Sequence, residues 1–412
     1  MIYSKSKYSC FMKFLSIFVF LGFLIASNGS FAQTYAISAD RLIDGKSDHA
    51  LPNPTIIVRQ GKIIDVNFTK TIPDSAIVID LKGQTLLPGL MDVHTHLLGT
   101  AGDYEKDLYD NSPSYRALRA VMHMRKALNN GITTLRDVCS EGAGYADVDL
   151  ARAVDSGFVE GPRIFPAGKG IAATGQYFPL ASNQNWSVDL PYGTQFATGI
   201  DECVKAVREQ YSRGVSWIKM YGDFITPTFS AEEMKAIVSE ANKLGLDVAA
   251  HANTSVGIRL AIEAGVRSIE HGHQFNDSLI NLALAHGTFW CPTISGMERH
   301  PGPLLDSMHK YLNRAYKARL PIVMGTDATS WNSNETKELE YYVRKAGLTP
   351  LDAIKTATLN AASLLRVQNS LGQIQKGFIA DIIAVPGNPL EDIALLQQVD
   401  FVMKEGKVIK RP

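Results

Sequence analysis

The chain has 412 residues, 41 basic and 41 acidic side chains, ten His and four Cys. A net charge of zero argues against a nucleic-acid binder that works by bulk electrostatics, and four Cys in this length exclude a disulfide scaffold. An apolar share of 45% with 20% charged residues fits a globular chain with a large core.

Residues 1–32 carry Lys5, Lys7 and Lys13 and no acid, with the apolar run FLSIFVFLGFLIA from Phe14 to Ala26 and small residues at Ser30 and Ala32. A basic n-region, an h-region and a small-residue cleavage site make a secretory signal peptide. The run is shorter than the roughly 20 apolar residues a spanning helix needs. Cleavage after Ala32 removes three Lys, so the mature chain is slightly acidic. It is expected to be exported, periplasmic or secreted, and free of the membrane. Met12 offers an alternative start.

Residues 33–87 read as short strands. YAISADRLIDG, TIIVRQGKIIDVN and AIVIDLKGQTLLPG alternate apolar and polar residues, with turns at Gly45, Gly61 and Gly83. Residues 366–412 read the same way, with turns at Gly372, Gly377, Gly387 and Gly406. Two β pieces at opposite ends predict one small β-sandwich domain built from both termini. Between them, residues 88–365 alternate strand and helix. Strand-like runs fall at 89–97, 131–138, 162–168, 217–223, 247–252, 268–272, 288–293 and 321–329. Helical periodicity fills the gaps; Ser230 and Glu233 make a capping box, and Gly245, Gly265 and Gly287 each end a helix. This predicts an α/β fold, a (β/α)8 TIM barrel, and the segment is near the roughly 250 residues typical of it. The Gly-rich first turn of a doubly wound sheet is missing: GAGYAD at 142–147 lacks the third Gly.

Active residues of such a barrel gather at the C-terminal ends of its strands. Those ends hold His94 and His96, Lys219, His251, His271 and Asp327. His94 and His96 are two apart, so on a strand both rings face one side and can share a cation. His251 and His271, at the ends of adjacent strands, can converge on a second. Such N and O donors suit Zn, and less selectively Mn, Fe, Co or Ni. Lys219 lies in the apolar strand WIKMYG, where an ammonium is expensive. Beside two cations it would lose its proton, and a neutral amine can take up carbon dioxide to form a carbamate that bridges two metals. Asp327 supplies a further carboxylate and a plausible general base.

These motifs resemble the amidohydrolase superfamily in its two-metal form. The resemblance is carried by PGLMDVHTH at 88–96, the strand Lys219, AAHAN and SIEHG at the ends of strands 5 and 6, and GTDA at strand 8. RLIDGK, LTPLDAIKTATLNAASLL, LGQIQKGFIADIIAVPGNPLEDI and FVMKEGKVIK extend it from about Ala36 to Lys410. ATGQY and WIKMY are similar to the exported imidazolonepropionase-like branch; a prolidase-like branch lies next to it. The resemblance implies two divalent ions. His94, His96 and Asp327 would hold the first, His251 and His271 the second, and a carboxylated Lys219 with a hydroxide would bridge them. Asp327 would pass the proton to the leaving amine. The implied activity is hydrolysis of a carbon–nitrogen (amide) bond in a small linear or cyclic substrate. Xaa-Pro dipeptidase or N-acyl amino acid carboxypeptidase activity, and an esterase or lactonase on the same centre, are the alternatives. A one-metal deaminase would lack Lys219 and carry a Glu near strand 5.

Departures leave the specificity pocket open. This chain has Gln176-Tyr177 where the prolidase-like branch often has TGGHG, Asn253-Thr254 where it has HAHG, and Trp331-Asn332 in the loop after strand 8. Position makes Tyr221, Tyr177, Gln176 and His273 candidate substrate contacts. His123, His286 and His309 fall on helical stretches and are read as solvated. Arg136 suits an anion or, better, an ion pair with a neighbouring acid. Cys291 is read as core, and a Cys139–Cys203 bridge has no support from spacing. The partner implied is a small-molecule substrate, with no nucleic acid and no membrane; a homo-oligomer is left open.

Overall fold

The computed structural model describes residues 33–412 except 101, 103, 176–192, 224–227, 299–300 and 330–334. The proposed signal segment, Gln176 and Tyr177 lie outside the described residues. The chain is α/β.

Strands from both ends of the chain share one sheet. Thr34–Leu42, Leu51–Pro52, Thr55–Arg59, Lys62–Asp65 and Ile77–Pro88 join Ile382–Pro386, Phe401–Lys404 and Lys407–Lys410 in a mixed sheet of eight. Ile77–Pro88 is its centre. It pairs parallel with Thr34–Leu42, Tyr35 opposite Ile77, and antiparallel with Ile382–Pro386, Ile382 opposite Pro88. The parallel register breaks between Ala39 and Arg41, opposite Gly83 at φ 80°, a bulge that bends the strand. The sheet curls so that its edge strand Lys62–Asp65 reaches the segment leading into Ile382–Pro386: Ile63 N donates to Phe378 O, and Ala380 N to Gly61 O. One curled sheet thus stands where a two-sheet sandwich was expected. Its inner face carries Ile37, Ile56, Leu86, Ile382 and Phe401, all fully buried, and each such side chain contributes about 1.5–3 kcal/mol.

The middle of the chain forms two parallel sheets. One contains Leu90–Thr95, Ile132–Asp137 and Arg163–Pro166. The other contains Thr194–Phe196, Gly170–Ala172, Trp217–Tyr221, Asp247–Ala252, Ser268–His271 and Phe289–Cys291. Segment 321–328 runs between them as bridges rather than the continuous strand expected there. Ile322 pairs with Trp290 and Ala328 with Thr95, while Met324 O accepts from Val93 N and Asp327 N donates to His94 O. The strand expected over 162–168 is confined to Arg163–Pro166, and the strands Gly170–Ala172 and Thr194–Phe196 were not foreseen. Every residue of Trp217–Tyr221 is buried, as expected of a strand covered on both faces.

Helices follow the parallel strands, and local chemistry sets their ends. Ala231–Lys243 begins at the expected capping box: Ser230 Oγ accepts from Glu233 N, and Ser230 N donates to Glu233 Oε2 at 2.6 Å. Ser255–Ala264 and Asp277–His286 stop at Gly265 and Gly287, both left-handed. Among the described residues no helix is long and apolar enough to cross a membrane.

One buried acid gives the fold a pH dependence. Glu338 is fully buried and accepts hydrogen bonds from Ile294 N and Ser295 N, at 2.7 Å each. Burial pushes its carboxyl up to about 7. A raised acid holds its proton in the folded chain after the unfolded chain has lost it. Its stabilising effect is therefore full below about pH 4.5 and fades as pH rises to 7. Urea unfolding at pH 5 and pH 7.5 is expected to show a smaller loss of stability for Glu338→Gln than for the wild type. Equal losses would contradict the assignment.

Candidate metal centre

The proposed ligands converge at one end of the parallel strands. His94 and His96 leave the first strand on the same side. His94 Nε2 lies 3.4 Å and His96 Nε2 3.1 Å from Asp327 Oδ1. One atom from each of the three residues lies within 4.8 Å of the others, a set that could hold a metal ion. Among the described residues, His94 Nε2 is a buried atom without a hydrogen-bond partner. A buried ring nitrogen left so is costly unless something binds it. The donor set, two imidazoles and a carboxylate, fits a divalent ion.

The other ligand candidates close the group. Ring centroids of His94 and His271 lie 4.8 Å apart, and those of His251 and His271 4.5 Å. Lys219, 1% exposed, joins His96, His251, His271 and Asp327 around a cavity of about 290 Å³. Tyr221 and His273 line the same cavity, as do Asn253, Thr293 and Met297. The sequence reading therefore brought eight described residues to one site. The structure places its ninth and tenth, Gln176 and Tyr177, outside the described residues.

Burial and neighbouring charge shift most of these groups. Burial lowers the Lys219 amine against the pull of Glu270 and Asp327, which favours the neutral form. Burial also holds His251 and His271 well below their usual value, with Lys219 adding to the effect at His251 and His251 adding to it at His271. Burial alone would raise the Asp327 carboxyl, but the rings of His94 and His96 outweigh it and keep the group well below the usual range. His96, penalised by burial, is nevertheless raised to about 10 because Glu141 and Asp327 flank it.

Each imidazole has a polar neighbour beside one ring nitrogen. His94 Nδ1 lies 2.6 Å from Glu270 Oε2, and His96 Nδ1 2.8 Å from Glu141 Oε1. His271 Nδ1 lies 2.8 Å from Thr293 Oγ1, and His251 Nε2 2.9 Å from Asn253 Nδ2. Asp223 in turn accepts from Asn253 N at 2.6 Å. Glu141, His271, Thr293 and Asp327 all have positive φ between 49° and 65°, and such strain in residues with side chains collects at functional sites. Gly325 of the GTDA motif is there because a Cβ would lie 2.3 Å from Cys291 Sγ and 2.6 Å from His94 Cβ.

Glu270, Glu141, Thr293 and Asn253 were missed by sequence reasoning. For Glu270 a signal was present: a charged residue inside the short apolar strand SIEH. Arg136 resolves as an ion pair, its Nη2 2.7 Å from Glu270 Oε1 with both side chains fully buried. His123 is a correction: it is 7% exposed, not solvated, because its helix face packs inward beside Ala120, Met124 and Ala127. His286 is exposed as expected, and His309 is partly buried with Nε2 3.1 Å from Glu298 Oε1. Cys139, Cys203 and Cys291 are buried free thiols, so Cys139 and Cys203 are not bridged.

Known proteins resemble this chain in sequence and fold. The amidohydrolase family model matches residues 85–409. The ochratoxinase of Aspergillus niger is 31% identical, over 94% of this chain and 89% of its own. The crystal structure of that enzyme superposes with a TM-score of 0.82 at 30% identity, covering 92% of this chain and 96% of its own. The crystal structure of a Xaa-Pro dipeptidase with bound methionine in the active site has a TM-score of 0.83 at 33% identity, covering 91% of this chain and 99% of its own. With a match over most of its length and the donor set in place, the chain belongs to the amidohydrolase family and is a hydrolase acting on carbon–nitrogen bonds.

Proposed function

We propose that this enzyme hydrolyses an amide bond of a small linear or cyclic substrate at a centre for two divalent ions, zinc fitting best. His94, His96 and Asp327 would hold one ion, His251 and His271 the other, and a carboxylated Lys219 would bridge them. The observation that carries the reading is Lys219: a nearly inaccessible amine, lowered by burial, on the wall of a cavity that it shares with four imidazoles and Asp327.

Such ions supply a water of low pKa and polarise the scissile carbonyl. Asp327, kept ionised by its neighbours, would accept a proton from the attacking water and deliver it to the leaving nitrogen. Tyr221 and His273 on the cavity wall are placed to donate hydrogen bonds to the developing oxyanion or to a substrate carboxylate. Similarity to the Xaa-Pro dipeptidase supports a narrower second reading, a substrate that ends in an amino acid with a free carboxylate.

The same reading extends to architecture and location. Residues 88–365 would close an eight-stranded (β/α)8 barrel through segment 321–328, whose backbone bonds reach both parallel sheets. Residues 33–87 with 366–412 would form the β domain, and 1–32 an export signal that sends the enzyme to the periplasm or outside the cell. The deciding experiment incubates the zinc-loaded enzyme with N-acyl amino acids, Xaa-Pro dipeptides, lactams and matched esters. Turnover of at least one amide class above its ester is expected. Turnover of esters alone would overturn the proposal.

A further inference from the structure

Glu270 sits on strand Ser268–His271, fully buried, and its two oxygens do different things. Oε1 accepts from Arg136 Nη2 at 2.7 Å and from Ser268 Oγ. Oε2 faces His94 Nδ1 at 2.6 Å. Arg136 is itself fixed. Its Nε donates to Val93 O at 2.5 Å, and its guanidinium lies over the Trp217 ring at 4.6 Å. Val93 precedes His94, so one side chain locks both Glu270 and the strand that carries the imidazole.

We propose that Glu270 is a positioning residue: held by Arg136 and Ser268, it fixes His94 in the Nδ1–H tautomer, so that Nε2 offers a bare lone pair to the centre. An ionised carboxylate only accepts hydrogen bonds, and a guanidinium only donates them. The hydrogen between Glu270 and His94 therefore belongs to Nδ1. The opposite nitrogen, without a hydrogen-bond partner among the described residues, is turned toward Asp327. Glu141 Oε1 also lies 2.8 Å from His96 Nδ1, so an acid stands beside each ring of the His-x-His pair. His94, Glu270 and Cys291 are also close enough to hold a cation, but both Glu270 oxygens are already engaged. The inference rests on the reading of His94 as a metal ligand.

The test is Glu270→Gln in the full-length protein. Glutamine has one acceptor and one donor end, and Arg136 can take only the acceptor. The NH2 then faces His94, whose ring must accept at Nδ1 and carry its hydrogen on Nε2. Nitrogen-15 NMR of histidine-labelled, metal-free protein is expected to show Nδ1–H for His94 in the wild type and Nε2–H in the variant. Zinc affinity of the variant is expected to fall about 10–100-fold. Arg163→Gln, which breaks the remote Arg163–Asp381 pair at 3.1 Å, serves as the comparison. It is expected to lower the melting temperature and leave zinc affinity unchanged. Nε2–H on wild-type His94 overturns the proposal, as does unaltered zinc affinity in Glu270→Gln or an equal loss in Arg163→Gln. A His94→Ala protein that binds its full complement of zinc would instead sink the ligand reading, while the tautomer result stands.

Discussion

Replacing Lys219 with alanine is expected to lower bound metal from two ions toward one or none per chain and to abolish turnover. Among the described residues no hydrogen bond or ion pair to Lys219 is seen that alanine would orphan; its amine faces the shared cavity, 5.3 Å from the centre of the Tyr221 ring. The fold should therefore persist, and circular dichroism should match the wild type. Intact-mass analysis of gently prepared wild-type protein should show the added mass of one carbon dioxide, absent from Lys219→Ala. Full activity in the variant would refute a bridging role, because no other described lysine lines the cavity.

Arg136→Met is expected to cost about 3–5 kcal/mol of unfolding free energy, the loss typical of breaking a buried pair from one side. Burial alone would raise the Glu270 carboxyl; Arg136 first, then His94, outweigh it and hold the group below the usual range. Methionine fills much of the volume but leaves a carboxylate without its counter-charge. Urea unfolding of metal-free protein measures this directly. Adding Glu270→Gln to Arg136→Met should recover part of the loss, since the charge that needed Arg136 is gone. A loss below about 1 kcal/mol for the single variant, the range of exposed pairs, would show that Glu270 finds another partner.

The proposed ligands were legible because strand geometry converts spacing into direction. His94 and His96 had to share a side, and the late positions of successive strands had to share a rim, so a linear reading of MDVHTH, WIKMY, AAHA, SIEHG and GTDA assembled the cavity. The capping box at Ser230 and the helix ends at Gly265 and Gly287 were legible for the same reason: their partners lie within a few residues. What escaped was set by pairing over distance. Glu270 meets His94 across 176 positions and Arg136 across 134, and no local pattern names such a partner. His123 was misread because a polar residue on an amphipathic helix gives no sign of how wide the covered face is. Segment 321–329 was over-read as a strand: its apolar start resembles one, but Asp327 adopts φ 57°, which no extended strand tolerates.

The central strand of the curled sheet has a consequence for how the molecule is made. Ile77–Pro88 has one neighbour that begins at Thr34 and another that begins at Ile382. A growing chain on the ribosome can therefore assemble the intervening helices and parallel strands while this layer is still missing three of its members. Until Ile382–Pro386 emerges, one backbone edge of Ile77–Pro88 lacks its partner, and Leu86 lacks the cover of Ile382 and Phe401. Pairing across nearly 300 residues is slow to form, so a segment made before the helices and parallel strands is among the last to become native. Its completion waits for the strands between Ile382 and Lys410.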